Sequence, residues 1–223
     1  MPGKFLSSSE VECISPAVAK PGYVDLKITF EQDMWSTPVK YLYYDIPTIH
    51  EIEPICGPET GYTQIAVYGG GFTDLGRNKA MCVFNRTVFT NATIMSDELM
   101  YCDSPTLLNV QGYSLLKGDD TNFYGLQVTI DGGHMIAGTP QKFYYYQQVI
   151  IKDVSPNKGP LSGNTEIKVN VTGLRQPGIC GLKMRLGTYE FTPEINHYGQ
   201  LVITNNKVEY PGILAVQVSY NDQ

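Results

Sequence analysis

A chain of 223 residues is long enough for two domains of ordinary sandwich size. Its formal net charge of -6 has the wrong sign for a nucleic-acid surface, which needs clustered lysine and arginine to displace counterions. Charged residues make up 17% of the chain, below the roughly 25% usual in soluble domains, while 22 Gly, 14 Pro and 16 Tyr give a composition rich in turns and strands. No apolar run approaches the roughly 18 to 20 residues that a membrane span requires, and residues 1–9 lack the long apolar segment of a signal peptide.

In chain order, Cys13-Ile14-Ser15-Pro16 is followed by alternating Leu26, Ile28 and Phe30 and then by Thr37-Pro38-Val39-Lys40-Tyr41-Leu42-Tyr43-Tyr44. The same succession returns as Cys102-Asp103-Ser104-Pro105, Leu126, Val128 and Ile130, and Thr139-Pro140-Gln141-Lys142-Phe143-Tyr144-Tyr145-Tyr146. Between them, Ile65 and Val67 alternate with Gln64 and Ala66, the period-two signature of a strand with one buried face. Gly57-Pro58, Gly61, Thr63, Ile65 and Val67 recur as Gly159-Pro160, Gly163, Thr165, Ile167 and Val169, so Tyr44 stands to Tyr146 as Gly57 stands to Gly159, at an offset of 102 residues. Self-similarity at domain length means tandem domains. The expected boundaries are 1–46 for the back part of one domain, 47–147 for a complete domain and 148–223 for a domain lacking its last strand. On this reading Leu214, Val216 and Val218 fall on the penultimate strand of the last domain. The absent strands are expected from continuation of the chain or from neighbouring subunits, because a half sandwich with open edges aggregates.

The succession Pro-x-Ile, Gly-Pro-x-x-Gly, Thr-x-Ile-x-Val, Gly-x-Gly-Phe, Cys-x-Phe, Cys-x-Ser-Pro and a closing Phe-Tyr-Tyr-Tyr resembles the IPT/TIG family of immunoglobulin-like domains from Cys13 onward, most closely over residues 47–146. The resemblance implies an all-β chain of tandem immunoglobulin-like sandwiches with about seven strands each. Such domains occur in plexin-type receptor ectodomains, in long surface proteins, as accessories of carbohydrate-acting enzymes and in Rel-type transcription factors, so fold alone does not choose a function.

In the family pattern the Cys-x-Phe and Cys-x-Ser-Pro cysteines form the internal bridge, which implies Cys82 with Cys102. Cys13 then occupies the place of Cys102 in the first, partial domain, with its partner expected outside the chain. Cys180 is assigned the place of Cys82 in the last domain, where Val202 to Asn206 offers no mate. With strands alternating in direction, the loops of Cys56 and Cys180 fall at facing ends of neighbouring domains and can meet at the junction. A bridge there competes with two separate thiols and with an intermolecular bond. No CxxC pair and no histidine at zinc-finger spacing supports a metal site, and paired cysteines suit an oxidising compartment.

Asn85-Arg86-Thr87, Asn91-Ala92-Thr93 and Asn170-Val171-Thr172 are N-glycosylation acceptor patterns, and strand alternation points Asn85 and Asn170 outward. The tyrosines at 41–44 and 143–146 form a ladder on the closing strands, with local packing favoured over an exposed stacking surface. His50, His134 and His197 are scattered, and no Gly-x-Ser-x-Gly elbow is present. Gly69-Gly70-Gly71 lacks the Gly-Lys-Ser/Thr of a phosphate loop, and Lys117 to Asp120 and Asp131-Gly132-Gly133 carry too few carboxylates for a calcium loop.

The sequence therefore reads as a non-catalytic extracellular or cell-surface repeat segment, structural or adhesive, of the kind that builds filaments or coats. The alternative is the stalk of a plexin-like receptor ectodomain that binds a protein ligand. An accessory module of an enzyme or DNA binder is third. Expected partners are other domains of the same chain, identical chains and N-linked glycans. No cofactor, metal, nucleic acid or membrane insertion is expected.

Overall fold

The computed structural model describes residues 1–31, 34–111, 123–174 and 177–220. The chain divides into two compact units, Met1–Ile46 and Pro47–Gln223. The first unit consists of β1 (Lys4–Ser7) paired with β2 (Glu10–Glu12), β3 (Gly22–Leu26) paired with β6 (Val39–Tyr43), and β4 (Thr29–Glu31) paired with β5 (Met34–Trp35). None of its described side chains is fully buried. The alternation of Leu26, Ile28 and Phe30 was expected to make one strand. Instead β3 ends at Leu26 and β4 starts at Thr29, because the hydroxyl of Ser36 accepts the Ile28 N–H at 3.0 Å and turns the chain there.

The second unit begins with a sandwich of β7 (Thr48–Glu53), β8 (Cys56–Pro58), β9 (Gln64–Gly70), β10 (Met81–Phe84), β11 (Val88–Ser96), β12 (Leu99–Asp103), a short helix α1 (Leu107–Gln111), β13 (Phe123–Thr129) and β14 (Ala137–Tyr146). The hydrogen-bonded order is β7-β9-β12-β11-β10-β13-β14-β8. β11 belongs to both layers: its first half pairs with β10 and its second half, past Asn91, with β12, where a register irregularity falls between Ile94 and Ser96. Ile49, Ile65, Val67, Phe84, Met100, Leu126 and Phe143 fill the space between the layers.

One expectation needs correction. A single buried face was read into β13, yet Gln127 and Thr129 are buried as completely as Leu126 and Val128. The outer face is covered by the segment that follows: the Gln127 side-chain amide donates at 2.9 Å to Gly138 O, at the start of β14 where its register with β13 is irregular, and the Thr129 hydroxyl donates at 2.8 Å to Asp131 in the turn after β13. Burial of these polar groups is affordable because each has a partner. Ala66, assigned to the outer face of β9, is buried as well.

A second core follows, built from β15 (Ile150–Ser155), β16 (Glu166–Thr172), a helical turn α2 (Pro177–Cys180), β17 (Leu182–Leu186), β18 (Tyr189–Phe191), β19 (Glu194–Ile195), β20 (Leu201–Thr204) and β21 (Val216–Tyr220). One sheet runs β15-β16-β20-β19 and the other β18-β17-β21.

The loop geometry of the two sandwiches is the same bond for bond. Gly61 N–H donates to Pro58 O and Gly163 N–H to Pro160 O; Tyr62 N–H donates to Ser104 O and Asn164 N–H to Asn205 O. The Ser104 hydroxyl accepts the Thr63 N–H at 3.1 Å, and the Asn205 side-chain oxygen accepts the Thr165 N–H at 2.8 Å. Gly61 and Gly163 both have positive φ, 77° and 75°, and a Cβ on either would fall within 2.7 Å of the backbone of Pro105 or Asn206. Only glycine satisfies both conditions. The first unit carries a fragment of the same plan: Leu26 faces Val39 as Leu126 faces Gln141, and Tyr23 faces Leu42 as Phe123 faces Tyr144.

Candidate functional site

The candidate site is the joint between the two sandwiches of the second unit. β8 is a strand of three residues that runs parallel to the end of β14, with Cys56 opposite Tyr144 and Pro58 opposite Tyr146. Cys56 had been placed in a loop; the pairing makes it part of the sheet. Because side chains alternate along β14, its closing tyrosines divide between two cores. Phe143 and Tyr145 pack with the first core, and Tyr144 and Tyr146 with the second. Tyr146 is 7% exposed and its ring lies 4.6 Å from that of Tyr220 on β21. The ladder is therefore packed through most of its length, and one strand serves as wall to two sandwiches.

The same joint carries a covalent tie. α2 brings Cys180 to the start of β17, and its sulfur is bonded to that of Cys56, with the Cα atoms 5.6 Å apart and both residues buried in the second core. The other bond joins Cys82 on β10 to Cys102 on β12, with Cα atoms 6.2 Å apart, and links the two layers of the first sandwich. Closing its loop of about 20 residues is worth roughly 3 kcal/mol in the chain-entropy picture.

The assignment of Cys180 to the place of Cys82 is overturned by register. Phe84 ends β10, and the next residue, Asn85, donates its N–H to Gly125 O; Leu186 ends β17, and the next residue, Gly187, donates to Ala215 O. Two residues back from each stand Cys82 and Met184. Likewise Cys102 faces Ile65 across β9, whereas Ile203 faces Ile167 across β16. Met184 and Ile203, both buried in the second core, thus hold the positions of the first sandwich's disulfide. Cys180 lies before the strand, which frees it to reach Cys56. Cys13 has a free, exposed thiol in the first unit.

Electrostatics at the joint follow from burial. The Tyr145 hydroxyl donates to Pro105 O at 2.7 Å, and desolvation, with Tyr124 adding to it, pushes its pKa far above the usual phenol range. Burial, together with the neighbouring Tyr220, also raises that of Tyr146. Both groups are held neutral and act as packing with a polar tip.

Of the three acceptor asparagines, Asn85 and Asn91 are exposed. Asn85 takes positive φ, 49°, in the turn after β10 and accepts the Gly125 N–H at 3.2 Å. Asn170, in β16, is half-buried and its side-chain oxygen accepts a 2.7 Å hydrogen bond from the Gln200 amide. His50, His134 and His197 are exposed and far apart in the chain, with the ring of His197 resting on Tyr198. Among the described residues no group of three or more His, Cys, Asp or Glu could hold a metal ion. Residues 117–120 lie outside the described residues. Asp131 spends its carboxylate on the Thr129 hydroxyl and the Met135 N–H, so that segment is a turn. In Gly69-Gly70-Gly71 the first glycine is fixed by close approach, since a Cβ would fall 1.9 Å from Thr48 O, and only Gly71 has positive φ. No helix among the described residues is long and apolar enough to cross a membrane.

Sequence reasoning missed the Tyr146–Tyr220 stack. The aromatic spacing at 144 and 146 was legible, but which core each ring entered depended on a neighbour far along the chain.

Comparison with known proteins places these observations. The family described as IPT/TIG domain matches residues 47–145. Plexin-A4 of Mus musculus is 24% identical over 132 residues, which is 57% of this chain and 6% of plexin-A4. Structures of the plexin A4 full extracellular region align at a TM-score of 0.47 for domains 1 to 10, with 17% identity over 93% of this chain and 17% of that one, and at 0.40 for domains 1 to 8, with 17% identity over 79% of this chain and 17% of that one. This chain thus spans only a small part of the relatives it matches. With the strand order, the sandwich core and the matched segment in agreement, residues 47–145 are an IPT/TIG domain of immunoglobulin-like fold.

Proposed function

We propose that this segment is a stiff, non-catalytic spacer in the extracellular part of a longer surface protein, similar in role to the stalk of a plexin-type receptor. The observation that carries the reading is the joint. Only residues 147–149 separate β14 from β15, the two faces of β14 enter two cores, and the Cys56–Cys180 bond ties the start of one sandwich to the next. A joint with no flexible linker, an aromatic stack and a disulfide resists bending, which is what a spacer requires. Two disulfides and exposed acceptor asparagines suit the oxidising, glycosylating route to the cell exterior. Its partners in this reading are the neighbouring domains of its own chain and N-linked glycans at Asn85, Asn91 or Asn170; no cofactor, nucleic acid or membrane insertion enters it.

Peptide mapping of the native protein without reduction tests the proposal. A glycan on at least one of the three asparagines together with an intact Cys56–Cys180 bond is expected; bare asparagines at all three sites, or free thiols at 56 and 180, would refute it.

A filament or coat unit is a second form of the reading, favoured by the exposed Phe5, Phe30, Met34 and Trp35 of the first unit. Apolar side chains left open to this extent mark contact surfaces. Electron microscopy of unreduced native material separates the two: rods with a repeat of one or two domains favour assembly of identical chains, isolated stalks the receptor.

A further inference from the structure

The three acceptor asparagines differ in what stands two residues before them. For Asn85 that residue is Val83, fully buried in β10, and for Asn170 it is the exposed Lys168. For Asn91 it is Phe89, an aromatic side chain left 42% exposed. β11 alternates cleanly over this stretch: Val88, Thr90, Ala92 and Ile94 are half-buried, and Phe89, Asn91, Thr93 and Met95 are exposed. Residues two apart on a strand share a face and stand about 7 Å from each other. The asparagine and threonine of the acceptor triplet thus lie on one outward row, and Phe89 is next in that row.

The surroundings fix the ring and leave the amide available. A Cβ on Gly133, in the turn after β13, would lie 3.4 Å from Phe89 Cε1, so that turn supports the ring from below while much of it stays in solvent. Among the described residues the Asn91 side chain makes no hydrogen bond, whereas the side-chain oxygens of Asn85 and Asn170 each accept one. The C–H groups of a pyranose carry partial positive charge and meet the negative face of an aromatic ring, and both partners lose apolar surface to water. A sugar attached to Asn91 has such a ring within its reach.

We propose that Asn91 carries an N-linked glycan whose first N-acetylglucosamine folds back along β11 and stacks on Phe89. The modification belongs to the secretory route, so the site rests on the extracellular reading of the chain. Its attachment is a substitution: Asn91 Nδ2 attacks the anomeric carbon of an oligosaccharide carried on a polyprenyl diphosphate. The C1–Nδ2 bond forms as the C1–O bond to phosphate breaks, the lipid diphosphate leaves and the amide gives up one proton. The stacked sugar then takes the Phe89 ring out of water, a contact that the bare chain lacks.

The full 223-residue chain, secreted from a eukaryotic host behind a removable leader, tests the site whatever the native location. Thr87→Ala and Thr172→Ala leave Asn91 as the one acceptor for melting experiments. Glycopeptide mapping is expected to find Asn91 occupied. Trimming with an endoglycosidase that leaves one N-acetylglucosamine should keep the melting midpoint of the first sandwich within about 1 °C, and full removal by an amidase should lower it by at least about 3 °C. In Phe89→Leu, which keeps an apolar side chain against Gly133, full removal should shift the midpoint by less than about 1 °C. The amidase makes the same Asn91→Asp change in both proteins, so the difference between them isolates the ring and the sugar. Proton resonances of that first sugar should also be shifted upfield by the ring current in the parent and not in Phe89→Leu. Asn91 left bare, or equal shifts in parent and Phe89→Leu, overturns the stacked site and leaves the spacer reading standing. Native protein bare at all three asparagines overturns both.

Discussion

Removing the bridge at the joint gives the most discriminating test of how the two sandwiches depend on each other. Cys56 lies opposite Tyr144 in the parallel register of β8 and β14, so while the first sandwich stays folded the bond anchors Cys180 to the end of β14. If the second sandwich unfolds by itself, the chain between Tyr144 and Cys180 forms a closed loop of about 36 residues, and the chain-entropy relation assigns its closure about 4 kcal/mol. That is a large part of the 5 to 15 kcal/mol, roughly, that stabilises a typical domain. The double variant Cys56→Ala/Cys180→Ala should therefore lower the stability of the second sandwich by about 4 kcal/mol and leave the first, with its own Cys82–Cys102 bond, within about 1 kcal/mol of its original value. Hydrogen exchange followed by mass spectrometry across a guanidinium series reads the two separately, from peptides covering β16 and β20 on one side and β9 and β12 on the other. A common shift in both sets, or a shift below about 1 kcal/mol in the second, would show that the bond does not act as a tether on one sandwich.

Other consequences follow from the geometry. Gly61→Ala and Gly163→Ala each place a Cβ at positive φ against backbone atoms and should cost at least about 2 kcal/mol in thermal or denaturant melts, whereas Gly212→Ala, with open space around it, should change little. Tyr145→Phe deletes the hydrogen bond to Pro105 O and should cost about 1 kcal/mol. The folded-state pKa of the Tyr145 hydroxyl is raised, so its contribution is complete below the ordinary phenol pKa near 10 and is lost as pH climbs above it. Alkaline titration of stability should therefore be steeper in the parent than in Tyr145→Phe. Met184→Cys/Ile203→Cys should form the disulfide that the second sandwich replaces with apolar packing, stabilising it by about 3 kcal/mol, with a loss of two mass units and a higher melting midpoint as the readout.

Much of this protein was legible from local chemistry. The turn glycines at 61 and 163, the alternation of Ile65 with Val67 and the Thr-Pro-aromatic closing strand are short-range patterns, and a period of two or a required positive φ leaves its mark within a few residues. Alternation misjudged β13 because periodicity registers apolar side chains only, and Gln127 and Thr129 are buried through hydrogen bonds to the start of β14 and to the turn before it. It misplaced Cys180 because matching cysteine to cysteine ignores register, and the register of β17 is fixed by its pairing with β21, which sets Met184 opposite Val218 far along the chain.

The sequence by itself carried the local turn and strand chemistry, such as Gly61 with Thr63 and Gly163 with Thr165, which recurs at the same spacing in the two cores of the second unit. Tertiary structure alone decided the joint. Whether Tyr144 and Tyr146 face solvent or a second core, which sulfur Cys56 meets and what stands beside β21 all depend on how separate segments dock. Docking is settled by the burial of large surfaces from distant parts of the chain, a quantity that no local pattern of residues encodes.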